Sequence, residues 1–229
     1  MSQKSFLVIG AGSFGEHLCQ SLTRYGGEVL VVDRCPEKVE ALLNVAASAK
    51  IGDCTNPEVL RSFGVADFDA CYVCIGENFQ NSLVITDLLK ELGAKLVFSE
   101  ATQDRQEKFL LNNGADHVVF PEKDIAERLA VSICNDNVFD YIALADNCGV
   151  FEIAIPAAWE GKTLRQLALR ANFGLNVLAV RRGEVVYPLL EPDYVCTAAE
   201  HLLVLASMED IRRVTESGGK MKGKKKRMR

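Results

Sequence analysis

A chain of 229 residues with 48% hydrophobic and 25% charged residues can bury one large core or two small ones, which excludes a disordered polymer. No apolar run approaches the ~20 residues a membrane helix needs, and no signal-peptide pattern leads the sequence, so a cytoplasmic protein is expected. Of the net charge of −5, residues 218–229 hold seven Lys/Arg and no acid, leaving −12 on the remainder, a body that disfavours nucleic acid as a partner.

Ser5-Phe-Leu-Val-Ile9 reads as a buried strand, and the run Gly10-x-Gly12-x-x-Gly15 then opens a helix over 13–25. In such a turn Gly10 allows the sharp bend, Gly12 lets backbone approach a phosphate, and Gly15 lets helix and strand pack closely. The N–H groups of the helix start, with Ser13 and Phe14 among them, then face the phosphates, favoured by the helix dipole. A second apolar run ends in Asp33, eighteen residues after Gly15, where a carboxylate can accept ribose hydroxyls. Strands are further expected at 46–51, 70–75, 95–99 and 117–119, and helices at 36–44, 56–63, 79–92 and 103–113. Strict alternation of this kind predicts a doubly wound parallel α/β sheet, Rossmann-like, with polar βα turns at the carboxyl ends of the strands.

Two of those turns carry further candidates. In Ile51-Gly-Asp-Cys-Thr55, Asp53 can meet an adenine or ribose edge, or Thr55 can simply cap the next helix. In Ile75-Gly-Glu-Asn78, Gly76 permits close approach of a ligand, while Asn78 reads equally as a helix N-cap. The eight cysteines do not form a disulfide framework: Cys19, Cys71, Cys74 and Cys134 sit in apolar patterns as small buried hydrophobes. Cys71 and Cys74 lie three apart on an expected strand and therefore point to opposite faces, unlike a redox pair. The three histidines have no metal-ligand spacing.

After Pro121-Glu-Lys-Asp124 the pattern predicts a helix to Asn135, a polar break, and a second helical segment, Val138 to Leu144. Beyond it come short strands at 150–155, 175–181, 184–187 and 201–206 around one helix, Thr163 to Arg170. Arg181-Arg-Gly-Glu184 reads as a hairpin turn. The division expected is a nucleotide-binding domain at 1–136, a small α+β domain at 137–215, and a disordered basic tail at 216–229.

Through residue ~215 the chain resembles the cytosolic gating subunits of bacterial Trk/Ktr potassium uptake, built from the RCK (regulator of potassium conductance) domain. Four segments carry the likeness: Val8-Ile-Gly-Ala-Gly-Ser-Phe-Gly15, Gly52-Asp-Cys-Thr55, Leu111-Asn-Asn-Gly-Ala-Asp-His-Val-Val-Phe-Pro-Glu-Lys-Asp124 and Leu169-Arg-Ala-Asn-Phe-Gly-Leu-Asn176. The resemblance implies homodimers assembled into a ring, an octamer, docked under a membrane potassium-translocating subunit at the inner face of the cell membrane, with helices near 125–145 forming the dimer. It implies ATP/ADP or NAD(H) as ligand: Gly10, Gly12, Ser13, Phe14 and Gly15 at the phosphates, Asp33 and Arg34 near the ribose, Asp53 with Cys54 bordering the adenine, and Gly76, Glu77 and Asn78 on the other wall. Glu122 corresponds to a carboxylate near the phosphates that can share Mg²⁺; otherwise it is an acid at a helix start. Arg170 and Asn176 correspond to positions facing a dimer pocket that takes cyclic di-AMP in some relatives, though Arg170 also suits a helix C-terminus. One departure is Ser13, where many relatives carry an arginine on the terminal phosphate; a hydroxyl supplies no bidentate fixed charge, which weakens ATP-over-ADP discrimination. The competing class is an NAD(P)-dependent oxidoreductase. It needs a proton donor near the hydride, and the second half offers only His201, within an apolar strand.

Overall fold

The structure, a computed structural model, describes residues 3–145, 147–188 and 191–220. They form two compact units that meet in sequence at Lys123 and Asp124.

The first unit alternates β1 (Ser5–Ile9), α1 (Ser13–Arg24), β2 (Glu28–Asp33), α2 (Pro36–Ala41), β3 (Ser48–Ile51), α3 (Pro57–Arg61), β4 (Ala70–Val73), α4 (Phe79–Glu91), β5 (Val97–Glu100), α5 (Asp104–Asn112) and β6 (His117–Val119). All six strands are parallel in the order β3-β2-β1-β4-β5-β6, so the chain direction across the sheet reverses between β1 and β4. Side chains alternate across the sheet as the period of two requires. Leu7, Ile9, Leu30 and Val32 pack on one face with Leu60, Ile85 and Leu89, and Val8, Val29 and Val31 pack on the other with Cys19 and Leu42. Cys71 and Cys74 fall into these two opposite clusters, and all eight cysteines are free. Cys134, by contrast, is exposed rather than buried, because it follows the end of a helix with no buried residue.

That helix, α6 (Pro121–Ile133), runs across the division between the units. The segment read as a second helix is instead the strand β7 (Val138–Ala145), paired antiparallel with β8 (Cys148–Ala154). Its Val138 and Tyr141 are buried on the core side, whereas Phe139, Ile142 and Leu144 are exposed. Apolar residues on both faces disguise a strand's alternation as helical periodicity.

The second unit continues with α7 (Leu164–Leu167), α8 (Leu169–Phe173), β9 (Asn176–Arg182), β10 (Val185–Tyr187), β11 (His201–Ala206) and α9 (Met208–Ser217). Its sheet is antiparallel, β10-β9-β11-β8-β7, with Gly183 at φ +57° in the β9–β10 hairpin. The one helix expected over 163–170 is two, because Ala168 takes the left-handed conformation (φ 45°, ψ 51°), ending α7 and starting α8. Leu167, Leu169, Phe173, Ile211 and Val214 of the helices bury the sheet's inner face around Phe151, Ile153, Leu202 and Val204. Trp159 closes this core, with its ring 5.1 Å from Phe173 and its indole N–H donating to the Gly219 carbonyl at 2.8 Å. Helix α9 reaches two residues into the segment read as a tail; residues 221–229 lie outside the described residues.

Candidate nucleotide cleft

The β1–α1 turn is built by backbone crowding. Gly10 has φ +98°, and a Cβ there would stand 2.3 Å from the Cys74 carbonyl oxygen; one on Gly15 would stand 1.9 Å from the Gly10 carbonyl oxygen. Neither position accepts a side chain, so the sharp bend and the close seat of α1 on β1 both require glycine. Gly12 differs: its φ is −71° and a Cβ would meet nothing within 4 Å. The space in front of it is open, and the residue is the N-cap of α1 without a side-chain cap. The N–H groups of the first helical turn therefore face that space without intrahelical acceptors. The exposed Ser13 stands at this mouth, and half-buried Phe14 packs back into the core. The arrangement fits an anionic group such as a phosphate.

Asp33, at the end of β2, holds the turn in place. One carboxylate oxygen accepts the Ala11 N–H at 2.7 Å and the other accepts the Cys35 N–H at 2.8 Å. A carboxylate has about four lone-pair directions, so two remain for donors from outside the protein. Arg34 is exposed beside it. After β3, Asp53 accepts the Thr55 hydroxyl at 2.7 Å and the Thr55 N–H at 2.9 Å. These bonds, the hydroxyl first, hold its carboxyl below the usual range, with Arg34 adding a smaller pull. Thr55 thus braces Asp53, and the cap of α3 is Asn56, which accepts the Glu58 N–H. The Cys54 side chain is 3% exposed and burial pushes its thiol up to about 12, so only its backbone is available at a ligand edge.

On the opposite side of the switch point, Asn78 caps α4 by accepting the Asn81 N–H at 3.0 Å, and Glu77 is exposed. Gly76 is hemmed in by protein: a Cβ there would come within 3.1 Å of Glu100 Oε1 and of Thr102 Cγ2. Glu100, the last residue of β5, escaped the sequence reading. It is only 7% exposed, and its carboxyl is pushed up to about 7 by burial and then by the charge of Glu122. A lone glutamate at a strand end has no spacing to announce it, since its burial depends on the distant Gly76 turn. Glu122, on the first turn of α6, is exposed. Among the described residues no group of three or more His, Cys, Asp or Glu side chains could hold a metal by itself.

The structure therefore brings Gly10, Gly12, Ser13, Gly15, Asp33, Arg34 and Asp53 to the carboxyl end of one sheet half, and Gly76, Glu77, Asn78 and Glu100 to the other. Arg170 and Asn176 belong to the second unit, the first exposed on α8 and the second half-buried at the start of β9. His201 is committed there too: its Nδ1 lies 2.7 Å from the buried Glu152 carboxylate, which also accepts from Arg181 at 2.8 Å, and its ring stacks on Phe139 at 3.9 Å.

A six-stranded parallel sheet in this order, with a glycine cradle at its first turn and followed in sequence by a small antiparallel unit, defines the class: a Rossmann-type unit joined to an RCK-like β unit. The TrkA-N domain family matches residues 6–121 and the TrkA-C domain family matches residues 150–217. The chain belongs to this TrkA-N/TrkA-C family of potassium-uptake proteins. It is 40% identical over 213 residues to the Ktr system potassium uptake protein C of Bacillus subtilis (strain 168), covering 92% of this chain and 96% of that protein. It is 34% identical to the Ktr system potassium uptake protein A of the same organism, over 95% and 98% of the two chains. Among solved structures, the GsuK channel bound to NAD superposes with a TM-score of 0.69 at 16% identity, covering 96% of this chain and 40% of that one. The chain thus spans less than half of that channel's length, and the likeness is one of fold.

Proposed function

We propose that the protein is the cytosolic nucleotide-sensing gating subunit of a bacterial potassium-uptake transporter. The observation that carries this reading is the open space at Gly12, lined by a helix start with free N–H groups, in a chain 40% identical to a Ktr potassium uptake protein over 92% of its length. ATP/ADP or NAD(H) would lie with its phosphates over Gly10, Gly12, Ser13 and Gly15, its ribose on Asp33 and Arg34, and its base beside Asp53 and the Cys54 backbone. Gly76, Glu77 and Asn78 would form the far wall. The NAD-bound GsuK neighbour supports a dinucleotide. Glu122 would share Mg²⁺ with the phosphates.

A gating subunit needs a ligand that binds two conformations unequally, and a cleft in a dimer that flexes provides this without chemistry. Exposed Ile125, Leu129 and Ile133 recur at i, i+4 and i+8 on α6, an unpartnered apolar stripe that supports α6 as the homodimer element of an octameric ring under the membrane subunit. Arg170 and Asn176 would face a symmetric pocket for cyclic di-AMP, two arginines pairing with two phosphates.

The test is co-expression with a membrane potassium-translocating subunit in cells lacking potassium uptake. Uptake should require this chain and fall when Gly12 is replaced by Asp, which fills and charges the cradle. Oxidation of NADH by the purified protein with a small carbonyl substrate would instead establish the oxidoreductase alternative.

A further inference from the structure

Glu100 is only 7% exposed, and among the described residues its carboxyl accepts no hydrogen bond, its oxygens keeping a narrow opening to solvent. A carboxylate so nearly enclosed and without a protein donor is costly, and a ligand that reaches its opening can complete it. Its position is specific. In a sheet of this order a dinucleotide spans the switch point, one mononucleotide over β1–β3 and the other over β4–β6. Asp33 serves the first half, at the end of β2. Glu100 ends β5, with Oε1 3.1 Å from where a Gly76 side chain would begin, so it stands against the β4–α4 turn that walls the second half.

We propose that Glu100 is the acceptor for the second sugar or amide of a dinucleotide and selects such a ligand against a nucleoside triphosphate. This rests on the nucleotide reading of the cleft. A hydroxyl or amide N–H offers the donor that the Glu100 carboxyl lacks. Without Mg²⁺, a triphosphate extending past the cradle brings more negative charge toward a wall already holding Glu100 and Glu122, whose mutual repulsion is felt in the raised Glu100 carboxyl. The cradle's own mouth offers a serine hydroxyl at position 13, with no fixed charge to offset it. The neighbouring Lys123 is engaged with Asp104.

The discriminating experiment is calorimetric titration, in Mg²⁺-free buffer, of the full-length protein and of Glu100→Gln with NAD, NADH, ADP and ATP at pH 8 and pH 6. Glu100→Gln keeps shape and acceptor while removing the charge. The wild type should bind NAD or NADH at least about tenfold more tightly than ATP at pH 8, the scale of one hydrogen bond to a charged group. That ratio should shrink at pH 6 as Glu100 takes up a proton. Cys74 and Glu122 are the other titratable groups in its electrostatic reach, and neither is altered in the variant. In Glu100→Gln the ratio should approach unity and lose its pH dependence, which controls for the ionisation of ATP itself. A wild type that prefers ATP, or a variant whose NAD-to-ATP ratio stays within about twofold of wild type, overturns the proposal and leaves the gating reading standing. Absence of binding by all four nucleotides overturns both.

Discussion

Gly12 and Gly15 belong to one motif but answer to different physics. At Gly15 a methyl group would sit 1.9 Å from the Gly10 carbonyl oxygen, so the backbone itself must move. Gly15→Ala is expected to lose about 3 kcal/mol of stability, the upper range for overpacking. At Gly12 the φ of −71° suits any residue and the space is open. Gly12→Ala should stay within about 0.5 kcal/mol of wild type in a denaturant melt while weakening nucleotide binding, since only the ligand would meet the added methyl. Equal destabilisation by both would mean the cradle serves packing alone. Glu100 gives a pH-dependent counterpart. Its folded carboxyl lies near 7, above the ordinary 4.5, so the native state holds more protons than the unfolded chain between those values. Stability from this group is present below pH 4.5 and is lost as pH rises through about 7. Glu100→Gln should therefore melt higher than wild type at pH 8, by roughly 2 kcal/mol, with the advantage vanishing near pH 4.5, as thermal scans across pH would read.

At the scale of elements, legibility followed how local each signal was. β1, the glycine turn and α1 stood out because strand, turn and helix start are adjacent in sequence, and Asp33 because its spacing is part of the same pattern. β7 was read as helix because Phe139, Ile142 and Leu144 are apolar on the face away from its core, which erases the strand's alternation. α9 went unread because its ten residues bury only Ile211 and Val214. The split between α7 and α8 was invisible because an alanine is the last residue expected to adopt φ 45°. That joint makes its own prediction. The left-handed region costs an L-residue roughly 1–2 kcal/mol, more than glycine's extra chain entropy. Ala168→Gly should raise the urea midpoint by the equivalent of about 0.5–1 kcal/mol without changing the slope; a lower midpoint would show that the alanine methyl packs usefully.

For the whole molecule, the change in pattern places a boundary at 136–137, whereas the compact units divide at Lys123–Asp124, within the first turn of α6; the family was legible from four short segments in order. What stayed hidden was what folding alone creates: the closeness of Glu100 to Gly76 across two strands, and the commitment of His201 to Glu152 between the paired strands β11 and β8. Trp159 extends this in a practical direction. It is the chain's single tryptophan, 1% exposed within the second unit and tied to Gly219 by its indole N–H. Light absorbed at the red edge, where tyrosine is transparent, is therefore emitted from the β unit alone, and from a dry environment that shifts the emission to the blue. Fluorescence is silent about the Rossmann unit until a tryptophan is placed there, so the two halves carry separable optical signatures. Any change in the native intensity when a nucleotide is added to the first unit would be news that has travelled from one half of the chain to the other.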